Sequence, residues 1–109
     1  MMSTRLAIAI AFALGCLVAA AAAKTMSIIQ RGLALSPTSA TLAKGDVLSF
    51  TNDDDVIHNI HIFGPGPDDS VDLGLQKPGK NLSYKFDKPG NYRVRCNIHP
   101  SVKMSVVVE

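Results

Sequence analysis

Turn chemistry interrupts this chain every eight to twelve residues, and no other feature limits its fold as strongly. "KGD" at Lys44–Asp46, "GPGPDD" at Gly64–Asp69, "KPGK" at Lys77–Lys80 and "DKPG" at Asp87–Gly90 each end a regular element. No helix can cross Gly64–Asp69. Between the turns, apolar residues alternate with polar ones. Leu48 and Phe50 face away from Ser49 and Thr51, Leu82, Tyr84 and Phe86 share a face, and Tyr92, Val94 and Cys96 oppose Arg93 and Arg95. "TMSIIQ" and "MSVVVE" are β-prone, whereas Val71–Gln76 fits a strand and a loop equally well. The pattern predicts an all-β protein with minimal helix, folded as one Greek-key β-sandwich.

The sandwich does not begin at Met1. Arg5 precedes an uncharged apolar run, Leu6–Val18, which passes into Ala19–Ala23 and then Lys24. A positive start, an apolar middle and a small-residue exit describe a cleavable signal peptide. A membrane anchor would need about 18 or more apolar residues without such an exit. Residues 1–23 are therefore read as the signal and residues 24–109 as the domain, delivered to the periplasm with no stable membrane insertion after cleavage. "ALGC" ends at Cys16, but Ala13 stands where a lipoprotein box has leucine, so anchoring through Cys16 is not expected.

The domain is small and its core is modest. Eleven Lys and Arg, one of them Arg5 in the signal, stand against nine Asp and Glu. With no basic excess, nucleic acid is not an expected partner. The three-aspartate run Asp53–Asp55, with Asp68 and Asp69, reads as solvated loop, or alternatively as an orienting patch for a basic partner. Exported domains of this size often carry disulfides, but the domain has one cysteine, Cys96. A lone thiol in an oxidising compartment persists more easily when buried or bound to metal as thiolate.

Cys96 ends a strand on its inward face, and Pro100 stops that strand and fixes a short loop carrying His99. The other histidines, His58 and His61, lie together in "VIHNIHI". A sandwich can bring that segment beside Cys96. One thiolate with two imidazoles is the ligand set of a type 1 copper centre, a trigonal site with a weak axial thioether. The same donors also suit structural zinc. A Cys-His enzyme is disfavoured, because no third orienting group or oxyanion motif is evident.

"KGDVLSFTN", "HNIHIF", "FDKPGNYRVRCNIHP" and "VVVE", in that order, resemble the cupredoxins, the blue-copper proteins, and within them the amicyanin- and plastocyanin-like branch. The resemblance runs from about Leu42 to Glu109. It implies that His58, Cys96 and His99 are the equatorial ligands of one copper ion. It also implies that Asn59 ties the two ligand segments together by hydrogen bonds. His61 has the opposite strand parity to His58 and reads as structural or exposed.

The fourth ligand stays open. Met104 stands at the plastocyanin-like spacing from His99, and it is taken as the candidate axial ligand. Aligned from "VVVE", however, the amicyanin-like position falls on Val102, which has no donor atom. Met104 then shares parity with Val106 and Val108 as a core residue. Met26 is a remote third possibility.

The implied function is one-electron transfer by a monomer cycling between Cu(I) and Cu(II), without catalysis, for transient redox-protein partners met through a small apolar patch around His99. The alternative is a periplasmic copper carrier that uses the same ligands.

Overall fold

The computed structural model describes residues 22–109. Most of the expected signal peptide, including Cys16, lies outside the described residues. Nine strands follow: β1 (Thr25–Gln30), β2 (Leu35–Ser36), β3 (Ser39–Leu42), β4 (Val47–Asn52), β5 (His58–Phe63), β6 (Val71–Gln76), β7 (Asn81–Lys85), β8 (Gly90–Arg95) and β9 (Lys103–Val108). No helix occurs among the described residues, as the turn spacing requires.

The strands form two sheets, one ordered β2-β1-β4-β7 and the other β3-β9-β8-β5-β6. Consecutive strands repeatedly change sheet, as from β4 to β5 and from β6 to β7, which is the crossing pattern of a sandwich. Two pairings are parallel, β1 with β4 and β3 with β9; they join segments far apart in the chain. Val71–Gln76, ambiguous in the sequence, is an edge strand against β5.

The alternation read from the sequence sets the core. Ile28, Leu48 and Phe50 on one sheet meet Ile60, Ile62, Val94 and Val106 on the other, all buried. Phe86, just after β7, packs edge-on against Tyr84 and Tyr92, with ring centroids 4.9 and 5.1 Å away. The β7 face is less covered than its alternation suggests, because Leu82 and Tyr84 are only partly buried.

Gly90 opens β8 with φ +145°, and a Cβ there would lie 2.8 Å from the Pro65 ring. Only glycine accommodates both the backbone angle and that approach. The Gly64–Asp69 loop is thereby seated against β8.

β5 and β8 run antiparallel, with His61 opposite Arg95, Ile62 opposite Val94 and Phe63 opposite Arg93. The beginning of β5 therefore lies beside the end of β8. This topology carries His58, the first residue of β5, toward Cys96, the first residue beyond β8.

Candidate metal centre

His58 and Cys96 are fully buried, and His99 is partly buried. Cys96 Sγ lies 3.7 Å from His58 Nδ1 and 4.0 Å from His99 Nδ1. The three donor atoms all fall within 4.8 Å of one another, and the two imidazoles meet at 65°. Metal–nitrogen bonds of about 2.0 Å and a metal–thiolate bond of about 2.3 Å, meeting near 120°, span an N···S gap of about 3.7 Å. The His58–Cys96 separation fits that triangle, and His99 needs only a small movement. Among the described residues, this is the group of three or more His, Cys, Asp and Glu placed to hold a metal ion.

The loop bearing His99 is closed by backbone bonds. Cys96 N–H donates to the Val102 carbonyl at 3.0 Å, and Val102 N–H donates to the His99 carbonyl at 2.9 Å. Two further amides aim at the sulfur, Asn59 N–H at 3.3 Å and His99 N–H at 3.4 Å. Donors converging in this way suit an anionic thiolate.

Asn59 also works through its side chain. Its Oδ1 accepts Asn97 N–H at 2.5 Å, and its Nδ2 donates to Asp72 Oδ1 at 2.9 Å. One residue thus joins the strand of His58 to the loop of Cys96, as the resemblance implies. His61 points to the opposite face. It stacks on Phe63 with centroids 4.1 Å apart and accepts from Asn97 Nδ2 at 2.9 Å.

Asp54 is the participant that sequence reading missed. In the sequence the Asp53–Asp55 run reads as solvated loop or a partner patch, yet its middle member is drawn inward. Asp54 Oδ2 lies 2.8 Å from His58 Nε2, and its side chain is 13% exposed. A carboxylate there makes Nε2 the protonated nitrogen and leaves the Nδ1 lone pair facing the sulfur. Burial pushes the Asp54 carboxyl upward, but Gly32 N–H, then the His58 ring and Leu33 N–H, outweigh it and hold it below its ordinary value.

Those amides come from the turn linking β1 and β2, where Gly32 has φ +64° and Leu33 φ +59°. Gly32 N–H donates to Asp54 Oδ1 at 2.6 Å, and Leu33 N–H to Oδ2 at 3.3 Å. The left-handed backbone at Leu33, unfavourable for a non-glycine residue, is offset by this pairing. Arg31 forms an ion pair with Asp53 beside it. Buried Asn52 completes the loop: its Oδ1 accepts Asp54 N–H, and its Nδ2 donates to the carbonyls of Val56 and Gln76. An asparagine directly ahead of an acidic run that leads to a histidine was the only signal the sequence offered.

On the inward row of β9, Met104 lies with Val106 and Val108, opposite Val94. Val102 is the residue bonded to Cys96, so Met104 is diagonal to the cysteine. Diagonal neighbours stand about 7–8 Å apart, within reach of a long side chain. Met26 lies on β1 and is 37% exposed, which leaves Met104 as the buried methionine of the described residues.

A family model for "Copper binding proteins, plastocyanin/azurin family" matches residues 22–109. Amicyanin-alpha of Methylorubrum extorquens is 36% identical over 66 residues, covering 60% of this chain and 56% of that protein, so the match spans little more than half of the relative. Methylamine utilization protein MauL of the same organism is 29% identical over 100 residues, covering 91% of this chain and 86% of that one. Among solved structures, a purple cupredoxin from Nitrosopumilus maritimus superposes with a TM-score of 0.68 at 25% identity, covering 76% of this chain and 98% of that one. A mutant of amicyanin in its reduced state superposes with a TM-score of 0.71 at 22% identity, covering 78% of this chain and 82% of that one; this likeness bears on the fold.

Proposed function

The chain belongs to the plastocyanin/azurin family of copper-binding proteins, and from that premise we propose that it is an exported type 1 copper protein carrying single electrons between redox partners. The observation that carries this reading is the convergence of His58 Nδ1, Cys96 Sγ and His99 Nδ1 within 4.8 Å. One copper ion bound there supplies the one-electron chemistry, as Cu(I) and Cu(II).

The chain's own residues do the rest. His58, held by Asp54, and Cys96, held by the amides of Asn59 and His99, keep the donors in place. Rigid donors favour fast transfer because little has to move between oxidation states. His99 sits in the exposed part of the loop, between Ile98, which is 48% exposed, and exposed Pro100, and serves as the port for electrons. A small apolar contact of that kind suits transient partners rather than a permanent complex. The protein is read as a monomer and as a carrier rather than an enzyme. Met104 is the candidate axial thioether.

Residues 1–23 are proposed as the signal directing the domain, 24–109, to the periplasm. In the described structure Lys24 N donates to Asp46 Oδ1 at 2.9 Å. Cleavage after Ala23 would turn that amide into an ammonium group facing a carboxylate.

Copper titration tests the reading. The Cu(II) protein should absorb intensely in the visible through thiolate-to-copper charge transfer, and Cys96→Ser should abolish the band. A colourless Cu(II) complex of the unaltered chain would reject it.

A second reading, copper handling without dedicated electron transfer, is favoured by Val102, which stands opposite Cys96 without a donor atom. Voltammetry separates the two. A potential too high for Cu(II) to be populated in the presence of ordinary biological reductants supports the handling role.

A further inference from the structure

The outer face of the larger sheet carries a lattice of side chains with an unusual charge. Strand register sets Lys103 opposite Arg95 and Arg95 opposite His61; the next outward row is Ser105, Arg93 and Phe63. Three cations therefore occupy two adjacent rows. None of them lies within ion-pair distance of a carboxylate among the described residues. Asp72 sits beside His61 at the margin of this face and already accepts from Asn59 and Gly74.

Like charges directly opposite across an antiparallel pair disfavour the sheet, and ordinary surfaces intersperse the two signs. Arg95 opposite Lys103 breaks that rule. Both guanidiniums lie over one ring, with Arg95 4.9 Å and Arg93 5.7 Å from the centroid of Phe63. Folding alone does not call for this arrangement, and a bound anion would relieve its repulsion.

The face is also concave. A hollow of about 510 Å³ is lined by Phe63, Arg93, Arg95 and Lys103 together with Pro100 and Ser101. Pro100 follows His99 directly, so whatever fills the hollow lies against the loop that carries the electron port.

We infer that Arg93, Arg95 and Lys103 form a docking platform for a redox partner that presents a run of surface carboxylates. Arg93 and Arg95 are two residues apart on one strand, about 6.6 Å. That spacing matches carboxylates alternating along an extended acidic segment, and each guanidinium can grip one in a two-pronged hydrogen bond. Phe63 preorders both prongs. Seating the partner here covers the loop at His99, which brings its redox group toward the copper. The inference rests on the electron-carrier reading for its purpose, but not for its binding chemistry.

The test is a titration of the isotope-labelled protein by nuclear magnetic resonance at low ionic strength, using hexaglutamate as the probe. Citrate and a six-residue oligothymidylate serve as comparison anions. Hexaglutamate should shift amides of β8, β9 and the 97–101 loop. The double variant Arg93→Glu/Lys103→Glu should weaken its binding roughly tenfold or more, while Lys44→Glu/Lys77→Glu, on other surfaces, should not. Raising the salt should weaken the binding of the unaltered chain as well. The inference is overturned by shifts mapping elsewhere, by equal binding to the first variant, or by tighter binding of citrate or oligothymidylate than of hexaglutamate. Because the titration reads binding alone, its failure leaves the copper assignment standing. Failure of the copper assignment shows instead as a colourless Cu(II) protein.

Discussion

Asp54 holds His58 from behind: its carboxylate lies 2.8 Å from Nε2 while Nδ1 of the same ring faces the Cys96 sulfur at 3.7 Å. The contact selects the tautomer and fixes the ring plane, and Asp54 is itself fixed by amides of the turn before β2.

Asp54→Ala should lower copper affinity by about 10–100-fold, the usual effect of removing a carboxylate behind a ligating histidine. Competition with a chelator of known affinity measures this. The potential should rise, because an imidazole without its carboxylate donates less to Cu(II). An unchanged affinity and potential would show that the contact is only a loop fastening.

Met104→Leu conserves volume and should cost less than about 1.5 kcal/mol of stability. If the thioether is axial, the electron paramagnetic resonance spectrum and the potential of the copper protein move with the substitution. A spectrum identical to that of the parent removes Met104 from the site and leaves three ligands.

Asn59→Ala deletes the acceptor of Asn97 N–H. That amide should exchange faster with solvent, and stability should fall by about 0.5–1.5 kcal/mol, the usual net worth of one hydrogen bond whose donor stays open to water. Urea unfolding together with hydrogen exchange at Asn97 separates the local effect from the global one.

Asp46 gives a pH prediction. Its carboxyl is held below its ordinary value of 3.8, chiefly by Lys24 N–H and then Ala43 N–H, against the opposing pull of burial. A depressed folded value stabilises the fold above the unfolded value, and the benefit disappears as pH falls through the lower folded one. Asp46→Asn should therefore melt lower than the parent at neutral pH, and the two should converge as pH falls from the ordinary value of 3.8 through the lower folded one. A chain starting at Lys24, with a charged amine facing Asp46, should show the wider gap. Melting temperature against pH, for both N-termini, checks both statements.

Phe86→Ala leaves a cavity between Tyr84 and Tyr92 and should destabilise by about 3–5 kcal/mol. A small domain has about 5–15 kcal/mol in total, so the variant should lose a large share of its stability. Its denaturant midpoint is the measurement.

Period-two alternation made most of the fold legible. Leu48 and Phe50 are both buried where the pattern places them, and Tyr92, Val94 and Cys96 share the inward face of β8 and its end. The same parity argument separated His58 from His61, and the structure places the two rings on opposite faces. Parity says nothing about which distant strands pair, so the parallel pairs β1–β4 and β3–β9 were not readable. Asp54 was hidden for a related reason. Three consecutive aspartates look solvated, and only the three-dimensional approach of Gly32 and Leu33 gives the middle one its partners. The alternation of β8 also shows the Arg93–Arg95 pair as the outward complement of buried Tyr92, Val94 and Cys96. Its opposition to Lys103 became visible only with the register of β9.

β9 is an inner strand, flanked by β3 and β8, although it follows every other strand of the described residues in chain order. The larger sheet therefore stays split until residues 103–108 are available. The loop holding Cys96 and His99 is tied off by Val102, immediately before that strand. A polypeptide emerging from its amino end would thus carry Cys96 and His99 on an untied loop until Val102 and β9 follow. Closure of the ligand loop is therefore coupled to the docking of β9, and a chain cut short of Val102 should hold its three donors less firmly.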